Sequence, residues 1–401
     1  MTEGTTLAPG LGDARRRRGM LFLGLAVGGV SFVMAMQMGL NANFLADDIR
    51  VTPDQLGTLE AFREGCGVVA FGILALLAGL AEPIVGAAMI LLLGAGLAAF
   101  TFTHEYTWIV VMSVVWSQGL HVWMPLPSSM ALSLAEPGRT GHRLGQIGAA
   151  GSAGFALGLA VAFILTKFAV PMRPMYLVAG GVAVLAAGAC LGIPRNLKTP
   201  GPRLILRRRY GLYYLLCFLD GWRKQIFLCF AGFLLVRVYK TPLLTMLILW
   251  GIVQVIGYVA APRVGRLIDR VGERKILVIY FTTLIFVFIG YATIENVWWL
   301  YGLFMADSAL FILAMALTTY VNRIAPPAEH TPTLSMGVAM NHVAAMTMPL
   351  LGGILWTHWG YRWPFVLGAV AAALSILAAL RVPYTPKQAQ APAPPASGGN
   401  V

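Results

Sequence analysis

Charge is scarce in this sequence. Asp, Glu, Lys and Arg make up 11% of its 401 residues, whereas a soluble protein carries about 25%. That shortage excludes an ordinary water-soluble surface. Cysteine is scarce too. Cys66, Cys190, Cys217 and Cys229 lie in apolar stretches, without the paired spacing of a metal or redox motif. They read as small buried apolar residues. A phosphate-cradling loop and a catalytic motif are both lacking, which argues against a primary pump and against enzymatic chemistry; no cofactor is expected. The ten-residue apolar–polar alternation of a membrane β-barrel is lacking as well.

What fills the chain is hydrophobic sequence, 58% of it. It falls into runs of about 20 residues, the length that spans a bilayer core as helix. Twelve spans are expected, at 20–45, 55–78, 84–103, 106–134, 146–168, 175–193, 211–236, 243–262, 275–294, 297–320, 335–357 and 363–381. The Arg15–Arg18 run resembles the start of a signal peptide. The apolar stretch after it is too long, and no small-residue cleavage site follows, so it reads as an uncleaved first span.

The net charge of +13 reports topology. With the amino terminus in the cytoplasm, 20 of the 29 Lys and Arg fall in cytoplasmic segments, six in outer loops, and three, Arg63, Arg223 and Lys224, inside spans. This is the positive-inside pattern. It predicts a multi-pass protein of the cytoplasmic (inner) membrane with both termini inside, and no nucleic-acid partner.

The basic, Pro-rich stretch PRNLKTPGPRLILRRRY at 194–210 divides the spans six and six. The predicted organisation is a tail (1–19), a six-helix bundle (20–193), a cytoplasmic linker (194–210), a second bundle (211–382) and a tail (383–401). The Gly-, Ala- and Pro-rich ends at 1–14 and 383–401 read as disordered. The halves repeat weakly. Gly79 and Gly265 differ by 186 positions, as do Gly86 and Gly272, and RPMY (173–176) matches RWPF (362–365). Parallel halves place a solute site at their interface near the bilayer midplane.

GRLIDRVGERK at 265–275 is similar to the signature loop of the major facilitator superfamily of secondary transporters, and the resemblance covers roughly 15–385. It implies an all-α fold of two pseudo-symmetric six-helix bundles and transport by alternating access. It also implies a cytoplasmic latch at Asp269 and Arg270, with Arg274 and Lys275 as basic partners and Gly265 and Gly272 at the turn. Glu273 departs from the family's usual base. The first-half copy departs further, with Pro83 and Ile84 at the Asp and Arg positions, although Glu82 could substitute. Drug antiporters of this family carry an Arg three residues before a Gln-Gly pair in span four. Here Val115 holds that place before Gln118-Gly119, and span five lacks the antiporter Gly-Pro. Both differences argue against multidrug efflux.

The stretch FLDGWRKQIF at 218–227 puts Asp220, Arg223 and Lys224 near the middle of span seven. Each such charge costs about 2.5–3.5 kcal/mol to insert. Residues three and four apart share a helix face, so Asp220 meets one base and a positive charge is left over. Either the group braces span seven, or Arg223 and Lys224 bind an anion and Asp220 orients them. The resemblance makes spans one, four, seven and ten the cavity-lining helices. On them Gln37, Asn41, Gln118 and His121 are expected to hydrogen-bond a solute, and Trp123 to pack on it. Glu60 and Arg63 form a second cluster in span two. Glu64 and Asp307 lack a base at local helical spacing and are the proton-coupling candidates.

The expected function is proton-coupled transport of a small anionic or zwitterionic organic solute, by a monomer in the lipid bilayer. Alternatives are a drug or metabolite efflux pump of the same fold, and a transporter-like assembly factor or sensor. A third is a soft-metal importer: span one carries Met34, Met36 and Met38, and span eleven carries Met336, Met340, His342 and Met346, a Met–His pattern that suits Cu(I).

Overall fold

The computed structural model describes residues 12–136, 139–199, 201 and 204–383. Their regular structure is helical, as it must be where lipid offers the backbone no hydrogen bonds. Twelve helices follow in order. They are α1 (Asp13–Asp48), α2 (Pro53–Leu76), α3 (Glu82–Ala99), α4 (Tyr106–Leu134), α5 (Thr140–Lys167) and α6 (Met172–Leu191). Then come α7 (Gly211–Gln225, Ile226–Ala231 and Gly232–Arg237), α8 (Leu243–Val271), α9 (Glu273–Thr293), α10 (Val297–Ile324), α11 (Pro327–Trp359) and α12 (Arg362–Ala379). Ten are long and apolar enough to cross a membrane. The two that fall short are α2, which carries Glu60, Arg63 and Glu64, and α7, which carries Asp220, Arg223 and Lys224.

A helix stands at each of the twelve expected spans, and some helices run past the apolar sequence. Helix α1 takes in Arg15–Arg18, and α11 starts eight residues before the expected 335. Hydropathy stops where polar residues begin, but a helix continues into the headgroup zone. The tails read as disordered lie outside the described residues, apart from Gly12–Ala14 and Pro383; Asp13 and Ala14 open α1. The signature stretch is a correction. It is not a loop: Gly265, Asp269 and Arg270 are the last turns of α8, and the chain reverses at Gly272, whose φ of 84° favours glycine. In the first half the reversal comes earlier, around Gly79 at φ 83°. The 186-residue repeat therefore keeps the glycines but moves the turn from one to the other. The first-half turn is fastened to the linker. Gly79 donates to the Thr199 carbonyl, Glu82 to that of Leu197, and Thr199 to that of Leu80.

The packing repeats more faithfully than the sequence. In the first half α1 packs on α5 and α6, α3 on α4 and α6, and α2 on α4. In the second, α7 packs on α11 and α12, α9 on α10 and α12, and α8 on α10. The halves join through α2 with α11 and α5 with α8, a pair of contacts that this pseudo-symmetry interchanges.

Those contacts gather away from the end that carries the termini. There, at the far end, Asn43 donates to the Thr241 carbonyl (3.1 Å) and Thr357 to Asp54 (3.2 Å). Gly39 admits Leu247 of α8. Toward the termini, Gly145 and Gly148 of α5 and Gly257 and Gly265 of α8 face open space. The molecule is closed at one end and splayed at the other. Small residues permit the closure, as in other packed membrane helices. A Cβ at Gly57 of α2 would strike the Pro349 carbonyl of α11, and one at Gly353 would meet the Pro53 carbonyl. Gly57→Val should therefore force this end apart. Spin labels at Thr52 and Trp359 should report a longer distance in the variant. An unchanged distance would mean that the contact does not hold the end shut.

Candidate functional site

The intramembrane charges separate into two groups. The first lies inside the second half. Arg223 is wholly buried. Its Nε is 3.4 Å from Asp220 Oδ1 on the same helix, and its Nη1 is 3.3 Å from Asp307 Oδ1 on α10. The guanidinium lies 4.0 Å from the ring centre of Phe311 and 5.1 Å from that of Tyr280, a cation–π enclosure. Tyr280 of α9 donates its hydroxyl to Asp220 at 2.8 Å. Asp307 is fully buried too, and its Oδ2 finds no partner among the described residues. The sequence expectation needs correcting on two points. Arg223 is not offered to a solute, because aromatic rings enclose it. The surplus charge in this group is negative, because Asp307 makes two carboxylates to one guanidinium. Only a partner 84 residues away reverses that sign, and no local spacing reveals it.

The second group lies on the seam between the halves. Arg63 pairs with Glu60, lies 3.6 Å from Glu64 and covers the ring of Trp116. Glu64 reaches across to His342 of α11, Oε2 to Nδ1 at 3.1 Å. The ring of His342 meets that of His121 of α4 edge-on, with centres 4.9 Å apart. His121 is held by its own helix: Nδ1 lies 2.8 Å from the Ser117 carbonyl, and Ser117 in turn donates to the Arg63 carbonyl. Glu64, His121 and His342 thus converge from three helices and both halves. Lys224, next to Arg223 in sequence, faces this seam instead. It is half-buried, and its Nζ donates to Asn341 Oδ1 at 2.7 Å. Among the described residues Lys224 has no ion pair. Glu64 has no base three or four residues away, as expected, but the adjacent Arg63 lies 3.6 Å off and His342 of α11 joins it.

The other expected contacts divide. Gln118 is half-buried and donates toward the Cys66 carbonyl at 3.5 Å, beside the seam. Gln37 is buried and donates to Asn41, which borders a small space between the halves. Trp123 is a correction: it is buried inside the first half against Gly86, next to Cys190, and not exposed toward the seam. Met336 and Met340 pack against the apolar core, Met346 lies against Gly65 of α2, and His342 turns to Glu64. Asn341 was missed; a polar Asn-His pair in an apolar span was its signal.

At the end bearing the termini, Asp269 and Arg270 are exposed, and Asp269 makes no ion pair among the described residues. An ion pair at that end joins Glu273 to Arg323 at 2.7 Å. The base expected at position 273 is thus replaced by an acid that ties α9 to α10. Glu82 is fully buried and holds no latch at the loop surface. Outside the spans, Glu136 takes two hydrogen bonds from Arg143, which hold its carboxyl down to about 2.

A twelve-helix membrane fold with repeated halves and a polar seam defines a class, the membrane transporters rather than enzymes. The family follows directly: the chain matches the model of the Major Facilitator Superfamily over residues 20–329 and 251–399, and it belongs to that superfamily. Among solved structures, the nucleoside transporter NupG superposes with a TM-score of 0.74 at 14% identity, covering 90% of this chain and 98% of that one. A bacterial homologue of the human lysosomal transporter Spinster, in an inward-facing and unoccupied conformation, gives a TM-score of 0.68 at 12% identity over 94% and 100%. The multidrug resistance protein MdtG of Proteus mirabilis is 28% identical over 120 residues, which is 30% of each chain. The match thus spans less than a third of that relative. The structural likenesses establish the fold alone.

Proposed function

We infer that the protein is a proton-coupled transporter of a small polar organic solute carrying a negative group, most simply a zwitterion. Lys224 carries the inference. It is a cation on the seam, held by the neutral amide of Asn341 and in no ion pair among the described residues. A carboxylate or phosphate of the solute would complete it. Glu64, Gln118 and Asn41 supply acceptors for an ammonium or hydroxyl group. Because α2 and α11, and α5 and α8, join the halves, a solute held at this seam feels each change of state. If the Arg-rich end is cytoplasmic, as the positive-inside rule requires, the splayed end faces inward in an inner-membrane protein.

Coupling is assigned to the buried group. Asp220, Asp307 and Arg223 together carry one net negative charge when both acids are ionised, and none when one is protonated. A bare charge in low dielectric is costly, so the packed state favours one bound proton. Release then requires Asp307 to open to water in the other state. Asp307→Asn fixes the neutral form. Labelled amino acids, nucleosides and small carboxylates should be offered to proteoliposomes with and without an imposed pH gradient. The variant should exchange solute downhill but no longer accumulate it against a gradient. Gradient-driven accumulation equal to wild type would remove Asp307 from coupling. The MdtG likeness keeps drug efflux as the second reading; apolar cations would then be the transported compounds in the same assay.

A further inference from the structure

We propose that Glu64, His121 and His342 form a binding site for a divalent transition metal such as Zn²⁺, built across the two halves. One donor atom from each residue lies within 4.8 Å of the other two. A tetrahedral zinc site, with bonds of about 2.0–2.2 Å, needs its donors about 3.3 Å apart. Binding therefore draws the three side chains together by up to about 1.5 Å. One carboxylate with two imidazoles is a donor set for a borderline ion such as zinc, not for Cu(I), which takes thioethers and thiolates.

Two further features show that the site is built. His121 Nδ1 lies 2.8 Å from the Ser117 carbonyl, which can only accept. The proton is therefore on Nδ1, and Nε2 keeps its lone pair. A histidine that holds a metal through one nitrogen is oriented by just such a bond from the other. Gly67 is the second feature. A Cβ there would sit 2.5 Å from His342 Cγ and Nδ1, so only glycine lets the imidazole lie against α2, within reach of Glu64.

The surrounding charges set the fourth ligand. Glu60 and Glu64 balance Arg63 and Lys224, so a dication leaves the seam positive by two. Three protein ligands leave a fourth position open, and that charge favours an anion there, hydroxide or a carboxylate. Because His342 belongs to the second half and the other two ligands to the first, a bound ion also ties the halves together. It therefore stabilises the state described here over any state in which α2 and α11 part.

The test uses purified full-length protein stripped with a chelator and then titrated with Zn²⁺ by calorimetry, and separately with Co²⁺, whose visible absorption reports tetrahedral coordination. No transported solute is present, so the outcome is independent of the solute and coupling assignments. Wild type should bind one Zn²⁺, melt at a higher temperature with it, and give an intense Co²⁺ spectrum. His342→Gln should weaken Zn²⁺ binding at least roughly tenfold and abolish that spectrum. If His342→Gln does not yield folded protein, Glu64→Gln takes its place with the same expectation. Wild-type protein with no tetrahedral Co²⁺ spectrum, or a folded variant that binds Zn²⁺ as tightly as wild type, would overturn the proposal.

Discussion

Arg223→Leu should be poorly tolerated, with a loss of about 3–5 kcal/mol of stability, the cost of stranding a buried partner. It leaves Asp220 and Asp307 facing each other in a space lined by Phe311 and Tyr280, with no cation between them. The thermal unfolding midpoint in detergent reads the effect. A second substitution sharpens it. Adding Asp220→Asn and Asp307→Asn to Arg223→Leu removes the repulsion and should recover much of the loss, because uncharged groups in that space cost less than an unbalanced pair of charges. If Arg223→Leu melts with wild type, Arg223 does not brace the second half.

Lys224→Gln is the opposite case. The side chain is half-buried at the seam and bonded to the neutral Asn341, so removing its charge strands no carboxylate bonded to it. The protein should fold and melt near wild type. What it should lose is the solute. A charge-assisted hydrogen bond contributes about 1.5–3 kcal/mol, so affinity should fall by roughly 10–150-fold, and more where the ammonium is the anion's main partner. Binding of the same labelled amino acids, nucleosides and carboxylates measures it. Equal affinity in both proteins would move the anion site elsewhere. Adjacent residues, Arg223 and Lys224, are thus expected to give opposite results, one in stability and the other in binding.

That contrast marks how far the sequence could be read. Apolar runs marked the places of all twelve helices, although only ten have the length and hydropathy of a span, because lipid enforces length and polarity. The charges of span seven stood out for the same reason. Which way each charge points did not. Positions 223 and 224 are 100° apart on a helix, and their division between bundle interior and seam depends on α9, α10 and α11, far away in sequence. Asp307 and Glu64 were singled out as acids without local bases, and each has a basic or imidazole partner on another helix. Trp123 and His121, two residues apart on α4, divide in the same way between interior and seam. The signature stretch was legible as a motif. Its position was not, because whether the chain turns at the first glycine or the second is decided by how far α8 extends. The methionines of α11 suggested a metal by composition, yet it is His342, with two residues from the other half, that offers the donor set.

The central claim is a seam site for a solute with a negative group, and a thermal-shift comparison of wild type and Lys224→Gln tests it most directly. The compounds are zwitterionic amino acids, their neutral amides, nucleotides, nucleosides and apolar cationic drugs. A ligand that binds only the folded protein raises its midpoint. The account predicts stabilisation of wild type by one or more compounds bearing a carboxylate or phosphate, lost when that group is amidated or removed and lost in Lys224→Gln. Stabilisation by apolar cations alone, the same in both proteins, would contradict it.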